Sequence, residues 1–154
     1  VTGVQTCALP IYLTFNTDSK KANFRFHELS RIHPGSGEFV MMTIRSHDQY
    51  NTTVYSSQDR YRGIKSGRRI VMMNPEDAEE HKIRAGEKVD LESIFNGELR
   101  RSTNWYMVEY DIPRGNISTY FPEANELIPL DSTANLSNTP TSKSVIVRVS
   151  KSQD

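Results

Sequence analysis

The apolar residues of this chain fall into short runs divided by turn formers, a pattern that leaves room for strands and for little helix. Phe39-Val40-Met41-Met42-Thr43-Ile44 is the most compact run and predicts a buried strand; residues 69–73 predict a second. Asn74-Pro75-Glu76-Asp77 then announces a helix start. Asn74 can accept from the free N–H groups, Pro75 suits the first helical position, and the two acids complement the dipole. That helix reaches only to about Lys82, because Gly86 breaks the pattern soon after it. Residues 88–95 alternate, with Val89, Leu91 and Ser93 opposite Asp90, Glu92 and Ile94. Asn96-Gly97 predicts a type I′ hairpin turn, since both residues tolerate positive φ, with residues 101–110 as the return strand. At least one of Trp105 and Tyr106 on that strand is expected in the core. Residues 144–149 form a closing β-branched strand, and Phe24 and Phe26 share one face of a further period-2 stretch. Pro34-Gly35-Ser36-Gly37, the region opened by Pro113-Arg114-Gly115 and the polar segment 131–143 read as loops. Six or seven short strands with one or two short helices predict a mainly β fold, a barrel with helical insertions.

Length and charge narrow the function. A chain of 154 residues holds one domain with a real core, and its 19 Lys and Arg balance 19 Asp and Glu. That balance argues against a nucleic-acid binder, although a local phosphate site needs only one or two well-aimed cations and some backbone N–H groups. The apolar runs are far below membrane-spanning length, so a soluble domain without membrane insertion is expected. His27, His33 and His81 have no metal-ligand spacing, and no metal site is expected within the chain. The basic stretch from Tyr61 to Arg69 reads as a solvated loop or a domain-contact face, since its single tyrosine gives little stacking platform for nucleic acid.

The chain opens on Val1, and residues 1–11 resemble the translation of a sequencing adapter. The expectation is that they are non-native and that the domain proper is 12–154. Cys7, the one cysteine, lies in that segment, so no thiol chemistry is expected of the domain.

Three segments together resemble the molybdopterin oxidoreductase superfamily of formate dehydrogenases and dimethyl sulfoxide reductases, at its C-terminal dinucleotide-binding domain. They are Thr43-Ile44-Arg45-Ser46-His47-Asp48-Gln49-Tyr50-Asn51-Thr52; Asn74-Pro75-Glu76-Asp77-Ala78 with IRAGEKV at 83–89; and Tyr120-Phe121-Pro122-Glu123-Ala124-Asn125 with Ser137-Asn138-Thr139-Pro140-Thr141-Ser142-Lys143. The wording is most similar to the YdeP-like, formate-dehydrogenase-like branch. The resemblance implies a double-psi β-barrel, as in aspartate decarboxylases, and a molybdenum bis(molybdopterin guanine dinucleotide) cofactor. It also implies a molybdenum ligand, and a 4Fe-4S cluster where there is one, in upstream domains of the same polypeptide. A bacterial cytoplasmic enzyme acting on a small-molecule substrate is the expected whole; this chain would hold cofactor, contribute no catalytic residue and turn nothing over alone.

The same resemblance implies the binding residues. Arg45, just past a strand end, would reach pyrophosphate oxygens; without the resemblance it is an ordinary surface arginine. His47 would meet a pterin nitrogen or a phosphate, the alternative being a bond to a loop carbonyl. Thr43, Asn51 and Thr52 belong to that first loop as short polar groups. Asn125 would offer a neutral amide to the heterocycle, or else form an Asx-turn. Lys143 would supply a further cation, with Asn138, Thr139 and Ser142 as the polar wall beside it.

A different class stays open: a stand-alone double-psi barrel, either a binding module or a self-processing decarboxylase cleaved at Gly35-Ser36. The cofactor reading expects an open reading frame that continues upstream of Tyr12, and the binding module expects a genuine start codon instead.

Overall fold

A computed structural model describes residues 15–24, 26, 28, 31–65 and 67–153. They fall in two compact units, Val1–Arg31 and Ile32–Asp154. In the first, Phe24 and Phe26 are almost fully exposed, so the period-2 pattern there buries no face among the described residues. His27 lies outside the described residues.

The second unit carries β1 (Glu38–Ile44), β2 (Gln49–Tyr50), β3 (Thr53–Val54), β4 (Ile70–Met73), α1 (Pro75–Glu80), β5 (Lys88–Phe95), β6 (Glu98–Glu109), β7 (Asn116–Tyr120), a 3₁₀ turn (Glu123–Leu127) and β8 (Val145–Lys151). Strands β1-β7-β4-β6-β5-β8 close into a barrel, and β2-β3 form a separate small hairpin. Within the barrel β1/β7 and β4/β6 pair parallel while the other neighbours are antiparallel. Parallel neighbours need long crossovers, and here these carry the loops and short helices between strands. The mainly β barrel with few helices is the expected fold class.

Local chemistry explains the elements. The Asn74 side chain accepts from Glu76 N–H at 2.9 Å, so α1 starts where its cap dictates. His81 caps the other end, its Nδ1–H donating to the Asp77 carbonyl at 2.9 Å. Asn96 and Gly97 both take positive φ, as their hairpin requires. The interior is lined by alternating residues, among them Phe39 and Met41 of β1, Val71 and Met73 of β4, Leu91 of β5, and Met107 of β6. Trp105 is wholly buried, and its indole N–H donates to Ser102 Oγ at 2.6 Å, while Tyr106 is half-exposed.

Two departures from the sequence reading have physical causes. A bulge between Val89 and Leu91 breaks the alternation and buries Asp90. Its carboxylate accepts from Asn104 N–H, Arg101 and Ser152, which offset the desolvation of the buried charge. Strand β7 lies in what reads as loop, because Ile117 and Tyr120 are its only large apolar residues. Ser118 is buried nonetheless, its hydroxyl donating to the Met42 carbonyl at 3.1 Å.

One barrel end is plugged by the 3₁₀ turn. Ala124 and Leu127 are buried there, and Ser93 Oγ donates to the Leu127 carbonyl at 2.7 Å. At this same end β1 and β7 finish and β4 and β8 begin, so the segments after β1 and β7 and those before β4 and β8 meet at one rim.

Candidate functional site: a cationic rim

The loop after β1 turns outward at Arg45. Arg45, Ser46, His47, Tyr61, Arg62 and Tyr110 line an open groove of about 420 Å³. Four of these were not among the expected binding residues: Ser46, Tyr61, Arg62 and Tyr110.

The groove wall is held from beneath by Asp59, a carboxylate with no solvent exposure. It accepts from Tyr120 Oη at 2.8 Å, Arg62 at 2.6 Å and the His47 backbone N–H at 3.3 Å. Burial acts to raise the Asp59 pKa, but the hydrogen bonds from Tyr120 and Arg62 and the Arg62 charge outweigh it, and the net shift is downward. The Tyr120 hydroxyl is pushed well up, by burial first and by the adjoining carboxylate second. Asp59 also exchanges both backbone hydrogen bonds with Ile64, which closes the 59–64 turn; Gly63 in that turn has φ of 72°.

Arg68 ties the rim together. Its side chain is only 10% exposed, and it donates to both Glu123 oxygens (2.5 and 3.0 Å), Ser46 Oγ (2.5 Å), Gln49 Oε1 (2.8 Å) and the Phe121 carbonyl (2.7 Å). Its guanidinium lies over the Tyr120 ring, 5.0 Å from the centroid. One side chain thus joins the loop after β1, the β2 strand and the segment after β7. In the stretch 61–69, expected to be a solvated loop or a domain-contact face, Tyr61, Gly63, Lys65 and Gly67 are exposed, but the arginines are held within the protein. Arg62, Arg68 and Arg69 are each paired with a carboxylate, Asp59, Glu123 and Glu126 respectively.

Two other cations are differently placed. Among the described residues neither Arg45 nor Lys143 has a carboxylate partner. The Lys143 ammonium donates to the Thr43 carbonyl, and the Thr43 N–H donates to the Ser142 carbonyl at 3.0 Å. Burial, and then repulsion from Arg45, hold the Lys143 pKa below its usual value. Two unpaired cations near enough to repel, one partly desolvated, fit a diphosphate, which would satisfy both. Of the groove's lining residues Arg45 and Arg62 are cationic, and Arg62 is paired with Asp59.

The expected binding residues are thus gathered in part. Thr43, Ser142 and Lys143 are bonded together at the end of β1, and Arg45 and His47 line the groove, but Thr43 is buried and offers its backbone, not its hydroxyl. The His47 ring packs against Tyr61 and lies 3.3 Å from Arg60, in place of the alternative bond to a loop carbonyl. Asn51 and Thr52 form the exposed tip of the β2–β3 hairpin. Asn125 is exposed within the 3₁₀ turn, where its backbone bonds to Pro122 and Ile128. Asn138 and Thr139 are exposed in a loop that closes on itself through Thr133 and Pro140. None of these five lines the groove. Among the described residues no cluster of His, Cys, Asp or Glu could hold a metal ion, and no helix is long and apolar enough to cross a membrane.

A small closed barrel with a cationic rim is a frame for holding an anionic ligand. The chain belongs to the molydopterin dinucleotide binding domain family, which matches residues 39–146. It is 47% identical over 140 residues to an uncharacterized oxidoreductase of Mycobacterium bovis, a match covering 88% of this chain and 18% of that protein. It is 37% identical over 142 residues to Protein YdeP of Escherichia coli, covering 88% of this chain and 19% of that one. The fold is similar to that of acetylene hydratase from Pelobacter acetylenicus, with a TM-score of 0.51 and 12% identity over 74% of this chain and 18% of that one. The chain therefore spans under a fifth of the length of these relatives.

Two outcomes are expected from the rim's internal bonding. Arg68→Met leaves Glu123 and the Phe121 carbonyl without their donor and should cost about 3 kcal/mol in urea unfolding; an unchanged midpoint would show the clamp to be dispensable. Asp59 has a folded pKa below its unfolded value, so its contribution is complete above about pH 4 and is lost as pH falls through the lower folded pKa. Stability measured from pH 6 down to pH 2 should therefore fall less steeply in Asp59→Asn than in the parent chain.

Proposed function

We propose that this chain is the cofactor-holding C-terminal domain, residues 12–154, of a larger molybdenum oxidoreductase, and that its rim grips the dinucleotide tail of molybdopterin guanine dinucleotide. The observation that carries this reading is that Arg45, in the groove, and Lys143, anchored on the Thr43 carbonyl at the end of β1, have no carboxylate partner among the described residues of a molydopterin-family barrel. Their roles divide by chemistry. Arg45 presents a planar fork suited to two phosphate oxygens, and Lys143, anchored on the Thr43 carbonyl, presents a point charge. His47 can donate to a phosphate or to a pterin nitrogen beside them. Asn51, Thr52, Asn125, Asn138, Thr139 and Ser142 are outer polar groups that would meet the heterocycles once neighbouring domains enclose the rim.

When bound, the molybdenum–pterin supplies the redox chemistry; the chain's own work is to bind it and to orient it. The guanine form of the nucleotide, the molybdenum ligand and a 4Fe-4S cluster in an upstream domain belong to the proposal, as does a bacterial cytoplasmic setting. So do the partners: the remaining domains of the same polypeptide, and a small-molecule substrate that reaches the metal through them, with no nucleic acid. The relatives are about five times longer than the matched segment, which supports a part over a stand-alone module. Gly35 and Ser36 sit in an exposed turn, where the Gly35 N–H is held by Glu38.

Two measurements test the reading. Inorganic pyrophosphate, titrated calorimetrically into the chain, should bind with an affinity that falls as salt rises. Arg45→Ala should weaken it about tenfold, the loss of one charge-assisted bond. Heat indistinguishable from dilution would sink the proposal. Purified alone, the chain should contain no molybdenum and reduce no dye with formate; turnover by the chain itself would contradict its assignment as a cofactor-holding part.

A further inference from the structure

The groove contains one aromatic ring that the fold does not use. Tyr110 also lines the groove, but it is partly buried against the cluster of Ile64, Ile70, Met72 and Tyr120. Tyr61 is 72% exposed, at the tip of a turn whose base is fixed by the paired Asp59–Ile64 backbone bonds and by the Arg62–Asp59 ion pair. Its orientation is nevertheless set. The His47 ring meets it edge-on, with centroids 4.0 Å apart and planes at 67°, and the Arg60 guanidinium carbon lies 5.7 Å from its centroid. His47 and Arg60 hold the ring in place, and a ring that is mostly exposed keeps surface available for a further partner. The arrangement is a pre-oriented aromatic surface in the same groove as the unpaired Arg45.

We propose that Tyr61 is the base-stacking platform of this rim: the heterocycle of a nucleoside diphosphate lies on the Tyr61 ring while its phosphates engage Arg45. The inference rests on the dinucleotide reading above and adds to it the residue that distinguishes a nucleotide from a bare diphosphate. The chemistry suits both halves. Base–aromatic stacking is apolar and tolerant of base identity, whereas the phosphates require the cations. Arg60, stacked over the same ring, adds positive charge close to the phosphates without being consumed by a carboxylate among the described residues. His47 acts here as a positioning residue, packed against the Tyr61 ring.

Calorimetric titration of the chain with GDP and with inorganic pyrophosphate separates the two claims. In the parent chain GDP should bind about tenfold more tightly than pyrophosphate. Tyr61→Ala should erase that advantage and leave pyrophosphate affinity unchanged, while Tyr61→Phe should keep it, since stacking needs the ring and not the hydroxyl. Because Tyr61 is exposed, the variants should retain the parent unfolding midpoint. If GDP keeps its advantage in Tyr61→Ala, or if GDP and pyrophosphate bind the parent equally, the platform is elsewhere and this inference fails while the diphosphate reading stands. If neither probe binds, both fail together.

Discussion

Arg68 is the interaction on which this rim depends. The barrel brings the ends of β1 and β7 and the start of β4 to one edge, but the barrel itself does not set the conformation of the segments that leave it. A single nearly buried guanidinium does that, by donating to the loop after β1, to β2 and to both backbone and side chain beyond β7. Its fork geometry matters, because an ammonium could not serve a carboxylate, an amide, a hydroxyl and a carbonyl in one plane. Asp59 repeats the logic with the opposite charge, collecting donors from the 45–48 loop, the 59–64 turn and β7. The two residues meet at Tyr120, whose ring lies under Arg68 and whose hydroxyl bonds to Asp59.

This internal pairing explains why the rim can hold surplus positive charge. Arg62, Arg68 and Arg69 are neutralised by acids and serve as structure. Arg45 and Lys143 have no such partner among the described residues, and burial first, then the Arg45 charge, act to lower the Lys143 pKa. Arg45, Arg60 and Lys143 are left without a carboxylate among the described residues, positive charge that an anion can meet. The neutral overall composition says nothing of this, since the imbalance is local.

What was legible in the sequence was what local chemistry decides. The Asn74 cap, the Asn96-Gly97 turn and the compact run at 39–44 each act within a few residues, and the structure carries all three. Strand β7 escaped because its burial depends on parallel pairing with β1, distant in sequence, and not on apolar content. Asp90 reads as a solvent-facing residue until a bulge turns it inward onto donors from β6 and the chain end. The same limit governed the site. Arg45, His47 and Lys143 were reached through resemblance, whereas Asp59 and Arg68 have partners up to 61 and 55 residues away, and no local pattern announces them. Tyr61 looked like a poor stacking platform because it stands alone in its segment; the structure supplies the missing ring edge from His47.

Whether the leftover cations are kept for a diphosphate decides the function of this rim. An isotope-edited NMR titration of the Lys143 side chain, with and without inorganic pyrophosphate, reads this directly. In the free chain its pKa should lie below that of an exposed lysine, and saturating pyrophosphate should raise it, because a bound anion favours the charged form. A Lys143 titration curve indifferent to pyrophosphate would contradict a diphosphate-holding rim.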